Sequence, residues 1–540
     1  MHARGMGQSA AQLISTGQVV VAAGLVLLAI AEAAAFGPLA LLRAIVGVVI
    51  VFYVVFVGFK IALWWASDDC PQYTLPAAED ESLPRYTILV PLRGEAKVVA
   101  KLVEALCRLR YPVAKLEILL LLEGYDLDTR TAVERISLPP HFHVLVVPDA
   151  GPRTKPKACN FGYVHASGHR LVIFDAEDRP EPDQLLRAVA AFRAIRRSQP
   201  DVGCLQAQLA FWNPRGSWVS SFYWSEYVVH FQRVLPGLAR LGLIPPLGGT
   251  SNHFTVDALD AVADANGVWT FDRDAAETVT MRGPWDPYNV TEDADLAFRL
   301  ALSGYRIGMF SSITYEEAPD TPRKARNQRS RWLQGYAQTG LVHTRHPLRS
   351  IRRVGSLRYL AFILFMLGTF SSLLLNPVMW AMTILYIVCR VESLTEAATF
   401  IHGLFPGPVY YAGMSVAVAG NAALFYQKLI TPVRRQQQAE SEAASDRPEQ
   451  HPLGAYLSRE QYGLCFRLLF TPLWWAFTSV SAYRAARKLL TGSQRSHWDK
   501  TPHGHALLTE TELEKASIHV PASLQSNEVR QHVAAIPQEP

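Results

Sequence analysis

Two short clusters between Thr291 and Trp332 combine residue types that can do chemistry. The first is Thr291-Glu292-Asp293, heading the run Thr-Glu-Asp-Ala-Asp-Leu-Ala-Phe-Arg-Leu. The second is Gln328-Arg329-Ser330-Arg331-Trp332. Asp293 offers a carboxylate that can take the proton of an attacking hydroxyl. The run behind it carries Leu296, Phe298, Leu300 and Leu302, which predicts a helix with Thr291 as its N-cap. The helix dipole also favours acids there, so the pattern fits a plain helix start as well as a base. Gln328, Arg331 and Trp332 stand at i, i+3 and i+4 and share one helix face. An arginine there can grip a diphosphate with two parallel hydrogen bonds. An indole plane suits the C–H face of a sugar ring. A membrane-interface Arg/Trp pair is the plain alternative. A strand over 305–310 and a loop over 314–321 are expected in between.

A third cluster, Asp175-Ala176-Glu177-Asp178, follows the apolar run Leu171 to Phe174. Carboxylates at the end of a buried strand are hard oxygen ligands for Mg²⁺ or Mn²⁺, which can neutralise a leaving diphosphate. Asp178, ahead of Pro180-Glu181, would equally suit a helix cap. Arg153, Lys155 and Lys157 precede a helix and can meet phosphates or form a solvated basic turn. Glu95 and Glu123 end apolar runs, where a uridine and its ribose can be hydrogen-bonded. His141, His143, His165, His169 and His253 show no repeated ligand spacing and read as structural or solvent-facing.

These residues need a scaffold. Strand-length apolar runs at 86–91, 117–122, 143–147 and 170–175 alternate with helical stretches such as 97–110 and 157–167. That order predicts an α/β doubly wound domain with a parallel sheet. Ligands of such sheets sit at the carboxyl ends of the strands, where Glu95, Glu123 and the Asp175–Asp178 cluster fall.

The chain of 540 residues divides by hydropathy into four parts. Residues 1–66 carry two apolar runs, 18–36 and 44–66, joined at Gly37-Pro38 as a hairpin and lacking a cleavable-signal layout. Residues 67–350 are ordinary globular sequence. Residues 351–490 are apolar again, with runs at 359–391, 409–427 and 464–490. The first is either a hairpin broken at Asn376-Pro377 or one kinked helix. The stretch 432–455 is polar, and residues 491–540 form a polar tail expected to be disordered. Arg349, Arg352, Arg353 and Arg358 mark a cytoplasmic membrane boundary. Six spans would put Arg434 and Arg435 outside. Four spans plus an interfacial 464–490 element put them inside, and this is favoured. The net charge of +5 gives no sign of a nucleic-acid partner. The six cysteines form no CxxC pair, so reduced thiols in a cytosolic block are expected.

Taken in order, Pro91…Glu95, Glu123, Lys157-Ala158…Asn160, Asp175-Ala176-Glu177, Thr291-Glu292-Asp293 and Gln328…Arg331-Trp332 resemble the inverting family 2 glycosyltransferases. The match is to the membrane-embedded processive branch, the cellulose, curdlan, chitin and hyaluronan synthases, over roughly 85–350. The resemblance implies a nucleotide-sugar-binding domain of GT-A type inserted between transmembrane helices. It implies Asp293 as base, with Pro91, Glu95, Glu123, Lys157, Asp175 and Arg331 around the donor UDP. It puts Thr291, Glu292, Gln328, Trp332 and Gly249 on the acceptor side, Gly249 within the turn Gly248-Gly249-Thr250-Ser251-Asn252. Phe211-Trp212-Asn213-Pro214, after Gln206, stands where the family lines its sugar site. Asp175 with Glu177 or Asp178 would hold Mg²⁺ or Mn²⁺. The chain departs from the usual Asp-Ala-Asp at Glu177 and has no evident cyclic-dinucleotide receptor domain. Trp498-Asp499-Lys500-Thr501 is similar to a segment of some bacterial exopolysaccharide synthases. The implied activity is processive polymerisation from a UDP-sugar, foremost UDP-glucose, with export of the glycan across the inner membrane. The implied partners are the donor, a growing glycan, the bilayer and export-complex subunits. Transfer of one or a few sugars to a lipid carrier is the alternative.

Overall fold

The computed structural model describes residues 9–214, 216–274, 277–404 and 469–491, with isolated positions between 413 and 423. The expected 409–427 span (those isolated positions aside), the 432–455 stretch with Arg434 and Arg435, the 491–540 tail beyond Thr491 and Trp498–Thr501 lie outside the described residues.

Helices α1 (Thr16–Phe36) and α2 (Pro38–Ala66) form the expected apolar hairpin, with Pro38 opening α2. A mixed sheet of eight strands follows, in the order β3-β2-β1-β4-β7-β6-β10-β5. In chain order its elements begin with β1 (Tyr86–Leu92), α3 (Val99–Cys107), β2 (Leu116–Glu123), α4 (Leu127–Glu134) and β3 (Phe142–Val147). Next come α5 (Lys155–His165), β4 (Arg170–Ile173), β5 (Arg179–Pro180), α6 (Gln184–Ile195), β6 (Val202–Phe211), α7 (Trp218–Val229) and α8 (Leu235–Arg240). The series ends with β7 (Asn252–Thr255), α9 (Val256–Asn266), the hairpin β8 (Val268–Asp274) and β9 (Glu277–Arg282), α10 (Glu292–Leu302), β10 (Arg306–Glu316) and α11 (Pro322–His343).

Strands β1 to β4 pair in parallel, as the buried apolar runs predict. The sheet is not parallel throughout: β7 runs antiparallel to both β4 and β6. Strand residues alternate between two cores. Ile88, Val90, Ile118 and Leu120 pack against α3, and Leu89, Leu119 and Leu121 face α5 and the buried side of α10. Strand β10 is longer than the 305–310 run predicts. Thr314 and Tyr315 pair with Leu209 and Ala210 on one side and with Pro180 and Arg179 on the other. Partners on both edges keep residues 314–316 in the sheet, where a polar loop is expected from local sequence.

After α11 come α12 (Pro347–Val354), α13 (Ser356–Val391), α14 (Thr395–Gly403) and α15 (Thr471–Thr491). α13 is one continuous helix through Pro377, which settles the hairpin alternative at Asn376-Pro377. Helices α1, α2 and α13 are long and apolar enough to cross a membrane. α15 packs on both the globular layer and α13, where Tyr483 donates to the Leu374 carbonyl at 2.6 Å. Its Trp474 stacks on Phe222 of α7, and Arg484 donates to Asn327 of α11 at 2.8 Å. Gly237 of α8 and Gly340 of α11 have no room for a Cβ, because the Leu63 backbone of α2 and the Leu367 side chain of α13 fill the space. The globular layer is therefore docked on its membrane-length helices.

Candidate active site

Asp293 lies in the first turn of α10. Thr291 does not make the expected cap: no side-chain cap hydrogen bond forms at this helix start. Instead Asn289 Oδ1 accepts from the Thr291 amide at 3.1 Å, and Thr291 packs on Gly335 of α11. Asp293 Oδ1 accepts from the Ala294 amide at 2.8 Å. Its Oδ2 faces Gly249, where an added Cβ would stand 3.3 Å away. Gly249 has φ +80° and Lys155 donates to its carbonyl at 2.8 Å, so the residue fills a left-handed turn that the Asp293 carboxylate closes over. Burial pushes the Asp293 carboxyl up to about 6 and that of Glu292, which also faces Asp293, up to about 8. A carboxyl at about 6 is half ionised near pH 6 and mostly ionised at neutral pH, so Asp293 is suited to take a hydroxyl proton.

Gly249→Ala is expected to strain this turn and crowd the base. Turnover should fall roughly tenfold, since an ångström-scale displacement of a reacting group has effects of that order or more. Steady-state kinetics at saturating donor check it.

Asp175 pairs with Lys155, which precedes Pro156 at the start of α5. Although burial opposes charge on Lys155, Asp175 and Glu292 hold its ammonium above the ordinary lysine range. Asp175 and Glu177 line the cavity beside Asp293, and so does Glu316 at the end of β10. Asp178 does not. Its Oδ2 accepts from the Asp175 amide at 2.6 Å and from Thr250, and it is 1% exposed. It caps no helix either, because α6 starts at Gln184.

Of the residues expected on the donor side, Pro91, Glu95, Glu123 and Lys157 form a separate group near the ends of β1 and β2, while Asp175 and Arg331 line the cavity. Pro91 sits inside β1, paired with Leu121, and is part of the sheet rather than of the cavity wall. Glu95 donates its amide to Thr129 Oγ1 at 2.9 Å, and Gly94 donates to Asp126. Lys157 points inward, 1% exposed, donating to the carbonyls of Pro148 at 2.9 Å and Ala150 at 2.7 Å, with Glu123 at 3.8 Å. Of the two lysines, Lys155 and not Lys157 reaches the cavity. Tyr125, beside them, carries the Arg153 guanidinium 4.2 Å from its ring centroid and that of Arg93 at 5.8 Å.

Gln328, Arg331 and Trp332 line the same cavity as Asp293, as do Gly249, Thr291 and Glu292. Trp332 stacks on Tyr227 at 5.9 Å. Arg329 also lines the cavity, paired with Glu226 and lying over the faces of Tyr223 and Trp332. Gln328 is 8% exposed, and its Oε1 has no hydrogen-bond partner among the described residues. The cavity, of about 700 Å³, runs on between α2 and α13, past Tyr53, Thr369, Ser372, Asn376 and Tyr386. Phe211 is buried in β6, whereas Asn213 fixes the chain at Ala318 through hydrogen bonds of 2.7 and 3.0 Å. Glu316, Asn289, Tyr336, Tyr227, Glu226 and the α2 and α13 residues are among the cavity residues that sequence reasoning missed. Glu316 obeys the strand-end rule that located Glu123 and Asp175, once β10 is given its full length.

Residues 87–238 match the family described as Glycosyl transferase family 2, and residues 171–393 match Glycosyl transferase family group 2. The chain carries family 2 glycosyltransferase domains. The chain is 24% identical to the probable glycosyltransferase YdaM of Bacillus subtilis (strain 168), over 54% of this chain and 66% of that one. It is 26% identical to the beta-monoglucosyldiacylglycerol synthase of Nostoc sp., over 53% of this chain and 56% of the relative. Against the probable glucomannan 4-beta-mannosyltransferase 1 of Arabidopsis thaliana the identity is 23%, over 48% and 44%. The chain thus spans about half to two thirds of the length of these curated relatives. Among solved structures, the mannosyltransferase PcManGT from Pyrobaculum calidifontis, in complex with GDP-Man and Mn²⁺, shares 19% identity. That alignment covers 84% of this chain and 99% of that one, with a TM-score of 0.45. The α/β glycosyltransferase domain of GT-A type is thus flanked by membrane-length helices, as expected.

Proposed function

We propose that this glycosyltransferase is an inverting, processive enzyme of the inner membrane. It takes a UDP-hexose, foremost UDP-glucose, on the cytosolic side, extends a β-linked glycan and passes it across the membrane. One observation carries this reading: the cavity holding Asp293 continues along a polar stripe of α13. Thr369, Ser372, Asn376, Thr383 and Tyr386 line it at helical spacing. From Thr369 to Tyr386 the stripe rises about 25 Å, close to the hydrocarbon thickness of a bilayer. Tyr53 of α2 donates to Asn376 Oδ1 at 2.7 Å and to the Ser372 carbonyl at 3.0 Å from across the cavity. Hydroxyls, an amide and aromatic planes inside apolar helices suit a chain of sugar rings.

In this reading Asp293 takes the proton of the acceptor hydroxyl, which attacks the anomeric carbon opposite the departing diphosphate. One base is enough for that displacement. Lys155 and Arg331 hold the diphosphate end of the donor, and Trp332 with Tyr227 forms the wall for the acceptor ring. Asp175 and Glu177 fit a divalent cation, Mg²⁺ or Mn²⁺. Among the described residues no group of three or more His, Cys, Asp or Glu closes into a cage, and two carboxylates completed by substrate phosphates is a common arrangement for Mg²⁺. Such a cation, when bound, supplies neutralisation of the leaving diphosphate.

A second reading is transfer of one or a few sugars to a lipid carrier. The apolar residues of the same cavity, among them Phe56, Val57, Phe365 and Met379, favour it, as does the similarity to monoglucosyldiacylglycerol synthases. A donor screen on purified protein, with release of the nucleoside diphosphate as readout and product sizing afterwards, separates the two. A glycosidase-sensitive polymer supports the first reading. A single labelled glycolipid replaces it with the second, and no release from any nucleotide-sugar overturns both.

A further inference from the structure

The stretch ahead of the first membrane-length helix takes part in a buried network behind the base. Ser9 and Ala10 are 1% and 2% exposed. Ser9 Oγ donates to Asp286 Oδ1 at 2.8 Å, and the Ala10 amide to Asp286 Oδ2 at 2.7 Å. Arg345 donates to the carbonyl of Ser9 at 3.1 Å and to that of Gln12. Leu13 packs on Ala337 of α11 and Leu489 of α15. Gln18, in the first turn of α1, donates to the Leu341 carbonyl at 2.8 Å and to Thr344 Oγ1 at 3.0 Å, at the end of α11.

Asp286 is the hinge of this network. It is fully buried and faces Arg299 of α10 at 3.7 Å. Arg299 pairs with Asp295 at 2.5 Å and donates to Asn266 at 2.7 Å. Asp295 Oδ1 meets His343 of α11 at 2.7 Å. A buried charge left without its partner costs several kcal/mol, so these groups hold one another in a single arrangement.

The same two elements meet again on the way to Asp293. Asn289 donates to Thr339 Oγ1 at 3.0 Å, the Val290 amide to Gln338 Oε1 at 3.2 Å, and Thr291 packs on Gly335. Positions 289, 290, 291 and 295 thus engage 339, 338, 335 and 343 on one face of α11. That ladder sets where Asp293 lies relative to Gln328, Arg331 and Trp332.

We propose that Ser9–Gln18 is a clamp that fixes the register of the base-bearing helix α10 against α11, making Ser9, Gln18 and Asp286 positioning residues for Asp293. The kinetic part of this inference rests on the function proposed above; the structural part does not. The clamp also links the first membrane-length helix directly to the catalytic turn.

The test uses full-length protein in detergent or nanodiscs, as wild type, as Ser9→Ala/Gln18→Ala and, in case that pair fails to fold, as Arg345→Gln. Hydrogen exchange is read first. The clamp predicts faster exchange in peptides over 289–296 and 335–343, with β1 to β3 unchanged. Unchanged exchange in both segments, or a uniform rise over the whole domain, overturns the clamp, whatever the turnover. Kinetics follow. A clamp predicts kcat lower on the order of tenfold, with the donor KM within about twofold, because the strand-end donor contacts lie outside it. A KM rise with kcat retained overturns the positioning role. If wild type transfers no sugar from any donor, the proposed function fails while the exchange result still decides the clamp.

Discussion

Asp293→Asn is expected to lower sugar transfer by roughly a thousandfold, with donor binding retained, because general-base catalysis contributes about 10²–10⁴. Asparagine keeps the size of the side chain and its contact with the Ala294 amide, and loses only the ability to take a proton. Initial rates of nucleoside diphosphate release at saturating donor, with binding measured separately, check this. Full turnover in the variant would remove the base assignment. The pH dependence adds a second reading. Burial raises the Asp293 carboxyl to about 6, so wild-type turnover should climb as pH passes through about 6, where the base ionises. The folded state holds the Asp293 proton more tightly than the unfolded chain does. Between the ordinary aspartate value and about 6 the native state therefore binds more protons, and stability falls as pH rises through that window. Above it the ionised base costs on the order of 1–3 kcal/mol, a cost that asparagine removes. The inactive variant should accordingly melt higher than wild type at pH 7.5, and by less at pH 5.

Asp175→Asn is expected to reduce kcat/KM by roughly 10²–10³, the scale on which lost electrostatic stabilisation of a leaving group operates. The change breaks the pair with Lys155 and removes one of two cavity carboxylates suited to a cation. Chelation of divalent ions should produce a comparable loss in wild type, reversed by adding Mg²⁺ or Mn²⁺. The neighbouring acids then separate. Glu177→Gln should be severe, because Glu177 lines the cavity. Asp178→Asn should be mild. Burial pushes that carboxyl well above the aspartate range, which favours the neutral form that asparagine mimics, and its bonds to the Asp175 amide and Thr250 can be kept by an amide oxygen. Metal-dependence curves for the two variants decide it. A severe Asp178→Asn with a mild Glu177→Gln would move the ligand role to Asp178.

The chemistry of the site was legible in sequence wherever a local pattern announces itself. Asp293 stands out because an acidic triplet opens an amphipathic helix, and Gln328, Arg331 and Trp332 because their spacing puts them on one face. Thr291 shows the limit of that reasoning. Its type and position predict an N-cap, yet its place in the fold is decided by Gly335, a glycine of another helix. Lys155 and Lys157 are two residues apart in the same basic turn, and nothing local tells them apart. The first reaches Asp175, and the second turns inward to the carbonyls of Pro148 and Ala150.

The sequence by itself determined the alternation of strands and helices, the membrane-length helices α1, α2 and α13 and the residue types at the strand ends. These follow from short-range hydropathy and periodicity, which each segment carries alone. Only the tertiary structure decided the antiparallel β7, the full length of β10 with Glu316 at its end, and the inward turns of Asp178 and Lys157. It alone joined the Asp293 cavity to the polar stripe of α13 and brought Ser9 to Asp286. Each of these rests on partners distant along the chain, whose pairing is settled by burial and by the need to satisfy every buried polar group at once.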